Sequence, residues 1–168
     1  MAKMFLLIFT ITIIVGSNAD SQVERAVNFL LIKCGEIEHF IEPVKTDIKR
    51  RRENVALDAN KGHNLNRECV QAIKENNDRI NHLLNDKTLK ISELERYVSE
   101  IRTYVEDVKN SHERYVKQHK EAILQTIHGK QNEIINKLNF AKRLNIRFVT
   151  DLATPHQQFV FIQNCYNN

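Results

Sequence analysis

The chain of 168 residues predicts an all-α fold, an up-and-down helical bundle with one long heptad-patterned helix. Three observations carry that prediction. Helix breakers are scarce, with four glycines and two prolines in the whole chain, and no Asn-Gly or Asp-Gly pair is present to turn a hairpin. Lys, Glu, Gln, Asn and Leu dominate the body, and clusters of alternating β-branched residues are few. Ile91, Leu94, Val98, Ile101, Val105 and Val108 recur alternately three and four residues apart, the period of knobs-into-holes packing.

The first element is "MAKMFLLIFTITIIVGSNAD", one early lysine ahead of an apolar run that ends in small and polar residues. The run is shorter than the ~20 residues a membrane span needs, and Ser17 and Ala19 suit signal peptidase. Residues 1–19 therefore read as a secretory signal peptide cut after Ala19. The mature chain, 20–168, is expected to be one helical domain, exported to the extracellular space and not transmembrane. Losing the leader removes Lys3 alone among charged residues, so 25 Lys and Arg become 24 against 21 acids, a net +3. That mild balance is unlike the concentrated positive field of a nucleic-acid binder.

Ser21-Gln22-Val23-Glu24 has the form of a capping box and opens a helix over about 21–42, with Val23, Ala26, Val27, Leu30, Cys34, Ile37 and Ile41 on one face. Pro43 lacks an N–H, disfavours helix at the residue before it and suits a first helical turn, so a second helix is expected over about 44–60. Lys61-Gly62 then closes it. The apolar face resumes over 64–128 through Leu65, Cys69, Ile73, Ile80 and Leu84, with a bend expected near Asp86, where Asn85, Asp86, Lys87 and Thr88 interrupt it. The seam continues through His112, Tyr115, His119 and Ala122. Gly129 ends that helix, a last one covers about 130–153, and Thr154-Pro155 terminates it. The tail 156–168 holds Phe159, Val160, Phe161 and Ile162, which predicts a docked segment.

The seam from Ile91 to Val108 is expected to face other helices of its own chain, with a second copy as the alternative. Cys34, Cys69 and Cys165 enter an oxidising compartment as an odd set. If Pro43 only kinks one long helix, Cys34 and Cys69 lie about 30 Å apart on a hairpin, beyond disulfide reach. If Pro43 is a true turn, their heights match. The expected pairing is Cys34 with Cys69, leaving Cys165 free or bridging two chains. A homodimer through the seam or through Cys165 is thus one expected partnership.

Lys49, Arg50, Arg51 and Arg52 form the one dense charge run, suited to an acidic polysaccharide, an acidic partner or a lipid surface, although Glu42, Asp47 and Glu53 dilute it. His112-Glu113-Arg114-Tyr115-Val116 starts like a zinc helix but has Val116 where the second histidine belongs. His112 and His119, two turns apart, are too distant to share one ion unaided. No nucleophile elbow, phosphate loop or dinucleotide fingerprint fits the scattered glycines. The carboxylates alternate with Lys and Arg as on solvated helix faces. These readings predict no enzyme, no metal and no cofactor.

Leader, all-helical Asn/Lys/Ile-rich body and three cysteines together resemble the small secreted proteins of arthropod glands, of the seminal accessory-gland or salivary kind. The six-cysteine odorant-binding pattern is not matched. The resemblance implies a protein transferred in a secretion and acting by binding. The expected function is a secreted non-enzymatic helical interaction protein, with an extracellular carrier of small ligands or lipids as the alternative.

Overall fold

A computed structural model describes residues 21–61, 65–111, 113–154 and 156–167. Over these the regular structure is all helix: α1 is Ser21–Lys61, α2 Arg67–Asn110, α3 Glu113–Gln118, α4 Lys120–Asp151 and α5 His156–Asn167. The expected signal peptide, the Gly62 cap, His112 and Pro155 lie outside the described residues. No described helix is long and apolar enough to cross a membrane.

α1 is described from Ser21, where the side chain of Arg25 donates to the Ser21 carbonyl at 2.7 Å and to its hydroxyl at 3.2 Å. It does not end at Pro43, which lies inside a single helix of 41 residues. The two expected helices are one, for a reason of packing. Val23, Val27, Leu30, Cys34, Ile37, Ile41, Val44 and Ile48 are all buried, and their alternation of four and three residues runs through the proline without a slip. A turn at Pro43 would throw Val44 and Ile48 off the shared core. Proline removes the donor for the His39 carbonyl and crowds it. Two side chains support the disturbed turn: Asn145 Nδ2 of α4 donates to the Phe40 carbonyl at 2.9 Å, and Thr46 Oγ1 donates to the Glu42 carbonyl at 3.1 Å.

α2 starts with Asn66 as its N-cap, the side chain accepting from the Cys69 N–H at 2.8 Å, and Glu68 stands in the first turn where the helix dipole favours an acid. The bend expected near Asp86 is absent, and α2 runs unbroken to Asn110. Polar residues there are spent on side-chain contacts that leave the helical ladder intact. Asp86 pairs with Lys90 at 2.7 Å, Thr88 Oγ1 donates to the Leu84 carbonyl at 2.8 Å, and Arg52 of α1 reaches both Asn85 and Thr88 at 3.1 Å. The break comes instead after Asn110, where Ser111 caps the end with its N–H on Val108 and its hydroxyl on Asp107. Short α3 and the start of α4 follow. α4 passes through Gly129 rather than ending there, because Ile127 and Ile134 on either side are fully buried and their burial outweighs the ~1 kcal/mol a helical glycine costs.

α1 lies between α2 and α4 and packs along both, while α2 and α4 meet over a shorter stretch. Glu38 meets Arg102 at 2.7 Å, Lys45 meets Glu95 at 2.8 Å and Arg52 meets Thr88, so α1 and α2 are antiparallel. Phe40 meets Asn145 and Arg51 lies over the Phe148 ring, so α1 and α4 run the same way. This is the expected up-and-down bundle. α5 continues beyond α4 along the first turns of α2, tied by Arg79 to the Ala153 carbonyl at 3.2 Å and by a disulfide. The docked tail is thus a helix.

Candidate functional site

The heptad seam is the core of the chain. Ile91, Leu94, Val98, Ile101 and Val105 keep no more than 3% exposure, and Val108 is partly buried against the same cluster. What they face is α1 and α4, which answers the alternative of a second copy: the seam is closed within one chain and offers no dimer surface. Beyond Asn110 the seam lapses, since Tyr115 is 52% exposed and stacks on the exposed His119 ring at 4.2 Å.

The cysteines correct the expected pairing. Cys69 and Cys165 form the disulfide, with Cα atoms 5.7 Å apart, and Cys34 is the free thiol. Because Pro43 does not turn the chain, Cys34 lies opposite the Val98 carbonyl, 4.0 Å from its sulfur. That level is 29 residues along α2 from Cys69, about 44 Å by the helical rise. With Cys165 paired inside the chain, it cannot bridge two copies.

The basic run is on α1 as expected, and three of its four side chains are engaged by neighbouring residues. Asp47 takes Arg50, and also Arg51 at 4.0 Å. The Arg51 guanidinium lies 5.7 Å from the Phe148 ring centre, and Arg52 is held by Asn85 and Thr88. Lys49 stays exposed beside a shallow depression of about 360 Å³ whose other charged lining residues, Lys45, Arg52, Glu53 and Glu95, carry both signs. Arg51 and Arg52 are therefore oriented by their own bundle, with Asp47 the acid among these partners. Among the described residues no three His, Cys, Asp or Glu side chains gather as a metal site.

The feature that periodicity did not single out is a groove between α1 and α4. It has a volume of about 640 Å³ and is lined by Gln22, Arg25, Ala26 and Phe29 from α1 and by Glu121, Leu124, His128 and Gln131 from α4. It forms because the two helices run parallel and α2 covers only one side of the pair. On the same helical stripes Ile32, 62% exposed, stands seven residues beyond Arg25, and Ile135, 41% exposed, seven beyond His128. Farther on, Lys142 Nζ closes over the Phe40 ring at 5.5 Å. Its walls alternate apolar and polar groups, Phe29 and Leu124 below and Arg25, Glu121 and His128 at the rim. Such a trough between two helices is the shape that an added amphipathic helix fills. The sequence signal for it was a second apolar stripe one step off the core positions, with Ala26, Phe29, Ile32 and Phe40 beside the series Val23 to Ile48.

No protein-family model matches the chain, and neither a curated protein nor a solved structure matches it.

Proposed function

We propose that this is a secreted, non-enzymatic interaction protein of a glandular fluid, seminal or salivary in type, and that it works by receiving an amphipathic helix of a partner protein in the α1–α4 groove. The observation that carries the reading is the groove itself: two parallel helices with a half-buried apolar floor at Ala26, Phe29 and Leu124 and no described element laid over it. A fourth helix there would bury the exposed Ile32 and Ile135 and complete a four-helix cross-section. The basic run takes second place, because Asp47, Asn85, Thr88 and Phe148 already engage it.

A photo-crosslinking side chain placed at Phe29 of the mature protein, exposed to the secretion that contains it, tests the reading. One defined crosslinked protein is expected from Phe29, and its loss on Leu124→Glu is expected. A crosslink that forms at Lys49 but not at Phe29 would move the site to the basic run. Co-purification with a displaceable fluorescent lipid would favour carriage of a small ligand instead. N-terminal sequencing of the exported protein tests its secretion, with a start near Asp20 expected.

A further inference from the structure

From Ile134 to Thr150, α4 carries Lys137, Lys142, Arg143 and Arg147 and no acid. Arg143, Ile146, Arg147 and Thr150 stand at i, i+3, i+4 and i+7, one face of a helix, and all four are exposed. Lys142, Ile146 and Val149 share the neighbouring stripe, at i, i+4 and i+7. Ile146 is 74% exposed, the most of any large apolar side chain described, and Val149 is 61% exposed. The fold adds to this face from α1. The Arg51 guanidinium lies 5.7 Å from the ring centre of Phe148, the residue before Val149, so the basic run of α1 and the cations of α4 meet at one level. The acids bordering the face are bound: Asp47 by Arg50 and Arg51, and Asp151 by Lys87. Among the described residues no carboxylate pairs with Arg143 or Arg147. The flank toward α2 is mixed in charge, because Glu93 and Glu100 share the stripe of Tyr97, whose ring Lys137 covers at 5.6 Å. Lys137 is therefore not counted in the face.

We propose that this face of α4 docks on an anionic phospholipid bilayer, with Ile146 and Val149 entering between the headgroups and Lys142, Arg143 and Arg147 at the phosphates. The occupant has to satisfy both kinds of side chain. An acidic polysaccharide would engage the cations and leave Ile146 in water, whereas an apolar partner would bury Ile146 and strand the arginines. A bilayer interface takes both, because basic side chains lay their stems along apolar surface while their heads stay at the headgroups. The guanidinium fork also matches phosphate oxygens. An acidic amphipathic helix would need a trough to lie in. At this level the gap between α1 and α4 is closed, by Lys142 Nζ over the Phe40 ring at 5.5 Å and by Asn145 on the Phe40 carbonyl at 2.9 Å. Ile146 thus stands on a ridge. It lies about 33 Å along α4 from Leu124 by the helical rise, so the surface is separate from the groove and does not depend on it.

Flotation of the mature protein with vesicles tests the proposal, using phosphatidylcholine alone and phosphatidylcholine with about a third phosphatidylserine, at about 50 and 500 mM salt. Binding to the anionic vesicles is expected, weaker at the higher salt. Each cation near an anionic surface contributes about fivefold to partition, so Arg143→Gln with Arg147→Gln is expected to weaken binding about 25-fold. Ile146→Ser is expected to weaken it about tenfold, and the helical circular dichroism of both variants should match wild type. Phe29→Glu in the groove is expected to float as wild type does. Absence of wild-type flotation at low salt overturns the proposal, as does equal binding to phosphatidylcholine alone or full retention of binding by either variant. Heparin binding that Ile146→Ser leaves unchanged, without flotation, also overturns it and assigns the cations to a polysaccharide. If Ile146→Ser loses helicity, the double arginine variant, altered only at exposed positions, decides the matter.

Discussion

Lys87 of α2 donates to the Asp151 carboxylate at the last residue of α4, inside a seam whose neighbouring positions, Leu84 and Ile91, are apolar. The lysine is 7% exposed, whereas the aspartate side chain keeps 35%. An ammonium in that position is tolerable only with its counter-charge in place. The pair therefore sets how far α4 slides along α2, since a shift by one turn would leave Lys87 buried alone.

Removing the acid and removing the base should have opposite outcomes. Asp151→Ala strands the buried ammonium and is expected to cost about 2–3 kcal/mol, below the 3–5 typical of a fully buried pair because Asp151 is partly solvated. Lys87→Leu fills the seam with an apolar side chain and is expected to be neutral or stabilising by about 1–2 kcal/mol. Urea unfolding of both variants measures the difference. Equal losses would mean that the lysine stem, not the charge pair, holds the site.

The support of the proline turn by Asn145 leads to a second prediction. Asn145→Ala removes the donor to the Phe40 carbonyl and is expected to cost about 1–2 kcal/mol. Pro43→Ala restores a helical N–H and is expected to stabilise the bundle by about 1–3 kcal/mol. In the Pro43→Ala background the Asn145 loss should shrink by at least about 0.5 kcal/mol, because the ladder no longer needs outside help. Chemical denaturation of the four proteins gives the coupling, and strict additivity would show that the two residues act independently.

The helical class and the closed seam were both legible in the chain, because each rests on a local period that the core reads directly. Pro43 was misread by weighing local propensity above register: Ile37, Ile41, Val44 and Ile48 already kept their spacing across it. Asp86 misled in the same way, since polar residues next to a continuing heptad were read as a bend while they served as partners for Arg52 and Lys90. The disulfide followed from the Pro43 error. The groove was hardest to see, because it depends on α1 and α4 running parallel, which is a property of the whole topology and leaves no mark at Phe29 or Leu124 beyond an apolar residue off the main stripe.

Reduction should be felt through the whole domain. The Cys69–Cys165 bond closes a loop with a sequence separation of 96, for which chain entropy alone gives about 4–5 kcal/mol, an upper figure for most measured bridges. Cys69→Ser with Cys165→Ser is expected to lower the unfolding midpoint by several degrees and to raise amide exchange in α5 more than in α1. A midpoint insensitive to dithiothreitol would mean that packing of α5 on α2 suffices without the bond.

Cys34 gives the stability curve an alkaline edge. Burial pushes its thiol from 9.0 up to about 11, with Glu38 adding to the rise and Arg102 opposing it. The neutral thiol is thus favoured in the fold, while the unfolded chain releases its proton near pH 9. Between those two values the folded state binds the extra proton, so stability falls as pH rises through 9 to 11 and is flat with respect to this group below that window. Tyr97, raised by desolvation and by Glu133, contributes in the same direction at higher pH. Cys34→Val keeps the seam position filled and removes the thiol. Relative to wild type it is therefore expected to gain about 1–2 kcal/mol between pH 8.5 and 11 in matched urea titrations. The wild-type thiol should also resist Ellman's reagent at pH 8 until the bundle opens. Parallel pH curves for the two proteins, or prompt thiol labelling of the native state, would show instead that water reaches Cys34 in the α1–α2 seam.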